Sequence, residues 1–329
     1  MRKNIMNNDA KRITAAVLAL VLVLAILAIG SKIVDKKSAV DVSEEDELNR
    51  NIETFLIIGI DDFSDQKETY DSYNNTMQAD YLVLLMFNTR TNEVSALHIN
   101  RDTMTPITIL GVLGDKVGKE THQIALSHTY GTGEKDSCLN TVTAVEDLLG
   151  IVVDHYARIT MDAIPLLNDA IGGVTLTPTV TITAEAVASN TEADTENTET
   201  TNNLITEGQT VTLTGEQALA YVRVRQSVSD GSNLKRMERQ RQYMSAFIEQ
   251  VKANKDNIDT ESLFKNISDK IVSDCSIERL ETIFDKSTDF TFTEIYTLEG
   301  TAKVGDSGYM EYHLDQDKLN ETIKDLFYK

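Results

Sequence analysis

Two apolar runs without a polar face constrain this chain most. Thr54–Ile60 (TFLIIGI) and Ala79–Phe87 (ADYLVLLMF) read as strands buried on both sides, and Glu93–Asn100 (EVSALHIN) as a third. Strands of that kind belong inside a covered sheet, which makes the chain an α/β protein. NTRTN between the second and third runs is a turn, so these two form a hairpin. Asp80 then opens the outgoing strand and Arg101 closes the returning one, at the same end of the sheet. If strand 54–60 runs parallel to strand 93–100, Asp61 arrives there too. Two carboxylates and an arginine at one sheet edge suit a phosphate-bound Mg²⁺, which takes one or two carboxylates plus phosphate oxygens. The alternative stays open at this point: Asp61 and Asp62 also suit a turn, and Asp80 an ordinary strand start.

The formal net charge is -21, yet Arg223–Gln242 (RVRQSVSDGSNLKRMERQRQ) carries six basic residues against two acidic ones. A cationic island in an acidic protein repels itself unless an anion sits on it, and arginine is the side chain whose planar fork matches phosphate. The spacing predicts a helix from Ser232 or Asn233, with Met237, Met244, Phe247, Ile248 and Val251 on its apolar stripe. Arg236 and Gln240 share that inward phase, while Glu238, Gln242, Ser245 and Glu249 take the wet side. Long polar side chains turned inward near a helix N-terminus make an anion site. A solvated basic stripe is the competing reading.

Ile13–Gly30 is apolar apart from Thr14 and long enough to span a bilayer. Arg2, Lys3, Lys11 and Arg12 precede it, so residues 1–12 read as a cytoplasmic tail and the chain beyond Lys32 as extracellular. The run exceeds the h-region of a signal peptide and reads as an uncleaved anchor. Residues 31–53 form a linker and 54–329 one domain. With its basic residues concentrated near the N-terminus, that domain is more acidic than the whole, which argues against nucleic acid as a partner. Cys138 and Cys275 make no disulfide framework, and no CxxC or histidine-rich spacing suggests zinc.

Farther along, residues 106–133 read as glycine-rich and irregular, and Asp136–Leu149 as an amphipathic helix closed by Gly150. Asp154–Thr160 is a strand, Asp162–Ala170 a helix with Pro165 in its first turn, and Val174–Ile182 an antiparallel strand. Residues 186–203 are a mobile acidic loop. Thr214-Gly-Glu-Gln217 is a capping box for a helix that delivers Arg223 and Arg225. A helix near Ile277–Phe284, strands near Asp289–Leu298 and a helix at Asp315–Phe327 complete the chain.

The order of GID (59–61), ADYLVLL (79–85), NRDT (100–103), DHYARITMDAIPLLNDAIGGV (154–174), GEQALAYVRVR (215–225) and RMERQRQ (236–242) resembles the successive motifs of the LytR-CpsA-Psr family. The resemblance covers about Thr54 to Val251. It implies a mixed sheet of α+β type flanked by helices around an apolar interior that holds a polyprenyl chain. It also implies anchorage by one N-terminal helix and work outside the cell membrane, in a Gram-positive-type envelope. The implied activity is transfer of a glycopolymer from a polyprenyl-pyrophosphate carrier to peptidoglycan. Asp61 and Asp80 match the residues associated with Mg²⁺ (or Mn²⁺), and Arg101 the arginine of the family's PRDT motif, with Asp102 beside it as an orienter or base. Arg223, Arg225, Arg236 and Gln240 match the groups around the pyrophosphate; Arg239 and Gln123 join them as substrate contacts.

The chain departs from the pattern in places. Asn100 stands where proline is usual, and Ala79 and Tyr81 flank Asp80 where serine and threonine are commoner. Asn233 replaces a frequent aspartate and Gln123 a frequent lysine, so neither brings the usual charge; Asp230 is a nearby substitute acid. The activity classes consistent with these residues are a phosphotransferase, a hydrolase acting on the same lipid, and a lipid-pyrophosphate-binding regulator without turnover.

Overall fold

The computed structural model describes residues 49–61, 77–111, 115–183, 205–224, 232–254, 257–276, 279 and 291–328. The run at 13–30, most of the linker, the 186–203 loop, Asp62, Arg225, Asp230 and nearly all of the helix expected at 277–284 lie outside the described residues.

The chain begins with β1 (Ile52–Ile60), β2 (Ala79–Asn88), β3 (Glu93–Ile99), β4 (Met104–Leu110) and β5 (Lys116–Gln123). A 3-10 segment (Ile124–Thr129), α1 (Glu134–Leu149), β6 (His155–Thr160), α2 (Ala163–Ala170) and β7 (Val174–Leu176) follow. Next come β8 (Val211–Leu213), α3 (Gly215–Arg223), α4 (Asn233–Asn254), α5 (Thr260–Ile267) and β9 (Ile271–Ser273). The last elements are β10 (Thr291–Thr297), β11 (Gly300–Val304), β12 (Met310–Leu314) and α6 (Gln316–Phe327). The architecture is a mixed α/β fold with a central mixed sheet flanked by helices. By contact density the chain divides into two compact units, with a boundary inside β6 after Arg158 and another at 289/290.

In the unit formed by residues 29–158 and 290–329, the sheet order is β10-β3-β2-β1-β6. β2 is antiparallel to both β1 and β3, and β10 is parallel to β3. Thr54–Ile60 and Leu82–Phe87 are buried throughout, which is why their sequences lack alternation. Gly59 faces Tyr81 across the ladder, and a Cβ there would stand 2.8 Å from the Tyr81 Cβ, so the close strand approach needs glycine. Thr54 and Asp154 clamp β1 to the start of β6: the Thr54 amide and hydroxyl donate to Asp154 Oδ2 at 2.8 and 3.0 Å, and the Asp154 amide donates back at 2.9 Å.

Residues 106–133 are more regular than their composition implies. β4 and β5 pair from Met104↔Gln123 to Leu110↔Lys116. Most of β5 is exposed, so no apolar alternation marks it as a strand. α1 follows and ends on Gly150, whose φ of 66° supplies the left-handed cap. A second hairpin, β11–β12, also went unread in the sequence; it pairs from Gly300↔Leu314 to Val304↔Met310.

In the other unit, α3 carries both arms of the capping box between Thr214 and Gln217. α4 packs on α3 and β7, and α2 on α3 and α5. β7 is shorter than the strand expected through Ile182: it pairs with β8 over three positions, and among the described residues farther on Ile182 bridges to Ile205. Pro178, with no N–H to donate, ends the ladder. Gly173 enters β7 with φ 85°, and a Cβ there would meet the Leu213 carbonyl oxygen at 2.9 Å. Among the described residues, no helix is long and apolar enough to cross a membrane.

Candidate active site

β1 and β3 run in the same direction with β2 between them, so the condition set by the sequence is met. Ile60 lies opposite Ala79 and Leu82 opposite Ile99, which brings Asp61, Asp80 and Arg101 to one end of the sheet. Arg101 is buried, and its guanidinium is held on three sides. One terminal nitrogen pairs with Asp80 Oδ1, the other donates to Gln78 Oε1, and Nε lies 3.4 Å from Asp102 Oδ1. A planar cation set between two carboxylates and the Gln78 amide oxygen loses its freedom to rotate, and its charge is fixed in place.

The loop that carries Arg101 is equally fixed. The Asp102 amide donates to Asn100 Oδ1 at 2.9 Å and the Thr103 amide to the Asn100 carbonyl at 3.0 Å. Asn100 thus closes this turn with its side chain, where the resembling motif uses proline. The Arg101 and Thr103 carbonyls accept from Ala125 and Ile124 at 3.1 and 2.7 Å, and the Asp102 carbonyl from Tyr312 at 2.8 Å. Gln123, placed by its pairing with Met104, turns its amide inward. Nε2 donates to Asp102 Oδ1 at 3.2 Å and to the Met310 carbonyl at 2.6 Å. Gln78 is the member of this cluster that sequence reasoning missed; its position two residues before Asp80, on the same strand phase, was the available signal.

His128 supports the approach to β2, its Nδ1–H donating to the Met77 carbonyl at 2.9 Å. Burial lowers its pKa from 6.5 to about 4; the backbone hydrogen bond works against that shift, and the nearby Arg158 charge adds to it.

A second cluster belongs to the other unit. Ser232 starts α4, accepting from the Lys235 amide with Oγ at 3.3 Å and from the Arg236 amide with its carbonyl at 3.1 Å. Arg236 and Gln240 are buried, as their phase required. Arg239 is buried with them, 1% exposed, although the sequence did not assign it to that face. Its Nε donates to the Tyr221 carbonyl at 3.0 Å and a terminal nitrogen to the Val224 carbonyl. Gln240 Nε2 donates to the Val222 carbonyl at 3.2 Å. Two α4 side chains therefore satisfy carbonyls that α3 leaves open around its C-terminus, next to half-buried Arg223. Arg236 donates to Asn233 Oδ1 at 2.7 Å, so asparagine does hold this guanidinium, as a neutral acceptor. Gln242, expected on the wet side, is half-buried and donates to the Thr177 carbonyl at 2.6 Å.

The model of the LytR_cpsA_psr family matches residues 23–327. Among curated relatives, the polyisoprenyl-teichoic acid–peptidoglycan teichoic acid transferase TagU of Halalkalibacterium halodurans is 29% identical over 221 residues, 67% of this chain and 59% of that protein. TagU of Enterococcus faecalis, which carries the same transferase name, is 25% identical over 97% of both chains. A solved structure of TagT bound to LI-WTA superposes with a TM-score of 0.58 and 25% identity, covering 84% of this chain and 90% of that one. With the family's pattern matched from residue 23 to residue 327, the chain belongs to the LytR-CpsA-Psr family.

Proposed function

We propose that this chain is a membrane-anchored phosphotransferase that moves a glycopolymer from a polyprenyl-pyrophosphate carrier to a muramic-acid hydroxyl of peptidoglycan. The observation that carries this reading is the buried Arg101 guanidinium fixed between Asp80, Asp102 and Gln78 at the sheet end. Relatives aligned over most of the chain bear the name of teichoic acid transferases to peptidoglycan, which supports the same chemistry here.

In this reading the acceptor hydroxyl attacks the phosphorus on the sugar side of the pyrophosphate. A new P–O bond forms, the bond from that phosphorus to the bridging oxygen breaks, and polyprenyl phosphate leaves. The hydroxyl proton passes to a base, and Asp102 is the carboxylate beside Arg101 that can take it. Arg101 neutralises the charge that grows on the phosphate oxygens. Its acceptors keep it in place before reaction, so no reorganisation is needed as that charge develops. The Arg236 cluster, with Arg223 at the end of α3, has the chemistry of an anion site in its own right.

Asp61 and Asp80 are the residues that would hold Mg²⁺ or Mn²⁺. The all-oxygen donors suit such a hard cation. Mg²⁺ takes one or two carboxylates and fills the rest of its shell with phosphate oxygens and water, so two such residues would be enough. When bound, the ion supplies further charge neutralisation at phosphate. The apolar run at 13–30 is the proposed single-pass anchor, with the catalytic part on the outer face.

The test uses the full chain in detergent with Mg²⁺, a polyprenyl-pyrophosphate saccharide and a peptidoglycan oligomer, its products read by mass spectrometry. Saccharide phosphate joined to the oligomer, and lost with Arg101→Ala, is the expected result. Free saccharide phosphate would replace the transferase with a hydrolase, and bound but intact lipid with a regulator.

A further inference from the structure

The sequence resemblance casts Gln123 as a substrate contact, but in the structure its amide is already engaged. Nε2 donates to Asp102 Oδ1 at 3.2 Å and to the Met310 carbonyl at 2.6 Å. Both partners are acceptors, so nitrogen must face them, and a carboxamide nitrogen has two hydrogens to give. The remaining polar atom is Oε1, which accepts only and has nothing to donate to a phosphate oxygen.

What that amide holds is the carboxylate beside Arg101. Asp102 Oδ1 lies 3.4 Å from Arg101 Nε as its ion-pair partner and accepts the hydrogen bond from Gln123. Arg101 also serves Asp80 and Gln78, so the ion pair alone leaves the Asp102 carboxylate sharing a guanidinium with two other groups. The directed hydrogen bond from Gln123 is the second constraint on its orientation. The Asp102 backbone is held as closely, its amide donating to Asn100 Oδ1 at 2.9 Å and its carbonyl accepting from the Tyr312 amide at 2.8 Å. Met310 and Tyr312 are two apart on β12, so the groups they offer leave the same edge of that strand. Asp102 is thus tied to one strand edge twice, directly through its carbonyl and indirectly through Gln123. Gln123 in turn is placed by β5, whose pairing sets it opposite Met104. One side chain joins the arginine loop, the end of β5 and the start of β12.

We infer that Gln123 is the positioning residue of Asp102: it acts on the reaction through that carboxylate and does not touch the pyrophosphate. The inference rests on the transferase reading, in which Asp102 takes the acceptor's proton, and it adds the residue that aims that carboxylate. Donor binding and turnover are read separately, so the two ideas fail in different ways.

The experiment uses the full chain in detergent with Mg²⁺, a polyprenyl-pyrophosphate saccharide and a peptidoglycan oligomer. It determines kcat and donor KM, and measures donor affinity by calorimetry without the oligomer. Gln123→Met keeps the length of the side chain and loses both N–H groups. It is expected to lower kcat on the order of 10-fold, the scale of one hydrogen bond to a charged group, with donor KM and affinity unchanged. Gln123→Asn, too short to reach both acceptors, gives the same split and replaces Gln123→Met if circular dichroism shows that variant unfolded. Gln123→Lys, whose ammonium can donate to both acceptors, restores kcat to within about threefold of wild type. A donor KM that rises while kcat holds makes Gln123 a substrate contact and overturns the inference. Wild-type kcat in Gln123→Met overturns it too, and so does a kcat in Gln123→Lys as low as in Gln123→Met. The transferase survives each of these results. A wild-type chain that binds donor but joins nothing to the oligomer overturns the transferase, and the role of Gln123 falls with it.

Discussion

Arg101 and Asp80 are far apart in sequence and meet because two antiparallel strands return the chain to one sheet end. The guanidinium fits its surroundings in shape as well as charge, since two carboxylates and the Gln78 amide oxygen approach it from different directions. Arg101→Lys keeps the charge but has no fork to span those acceptors. We expect turnover to fall by about 100-fold or more in Arg101→Lys and Arg101→Ala, in line with the loss of a preorganised charge at a reacting phosphate. Circular dichroism should remain that of the folded chain, and turnover within a factor of two of wild type would remove Arg101 from the mechanism. His128 gives a prediction in stability. Its folded pKa of about 4 lies below the ordinary 6.5, so between those values the unfolded chain binds the extra proton. The contribution is complete above pH 6.5 and disappears as the pH falls towards 4, amounting to roughly 3 kcal/mol. Urea midpoints measured across that window should slope upward with pH in the wild type and flatten in His128→Gln.

At the scale of elements, α3 and α4 act as one clamp. Arg239 closes the α3 terminus by donating to Tyr221 and Val224, and replacing it strands buried carbonyls. Arg239→Met should cost about 2–4 kcal/mol in thermal unfolding, and Arg239→Lys should rescue little, because one ammonium cannot reproduce the fork. An unchanged melting temperature would contradict the clamp. Gly173→Ala should lose about 1–3 kcal/mol, since it combines a positive φ with a close carbonyl oxygen. These elements differ in how well the sequence revealed them. β1 and β2 were legible as unbroken apolar runs, α4 because burial of one face writes a helical period into its residues, and α3 because its capping box is a local signal. β11 is exposed along its length and β5 over all but its last two residues, so no apolar pattern distinguishes strand from loop there. Arg239 was counted among the charges of the basic island, while its carbonyl partners belong to another helix and leave no trace in spacing. Gln78 was hidden for a similar reason: a polar residue before a strand acquires meaning only once Arg101 has been brought back to it.

For the whole molecule, the separation of charge matters. A basic, apolar N-terminal stretch precedes an acidic remainder, and the account makes the first an anchor and the second an outward-facing catalyst. Deleting residues 1–30 should move the chain from the membrane fraction to the supernatant; persistence in the membrane fraction at high salt would contradict the anchor. In the proposed reaction phosphorus passes from the lipid to the acceptor, and an isotope can follow it. A polyprenyl-pyrophosphate saccharide labelled with ³²P on the sugar-side phosphorus, incubated with the full chain, Mg²⁺ and a peptidoglycan oligomer, should leave the label in the oligomer and unlabelled polyprenyl phosphate in the organic phase. Label released as free saccharide phosphate, or retained on the lipid, would contradict the account.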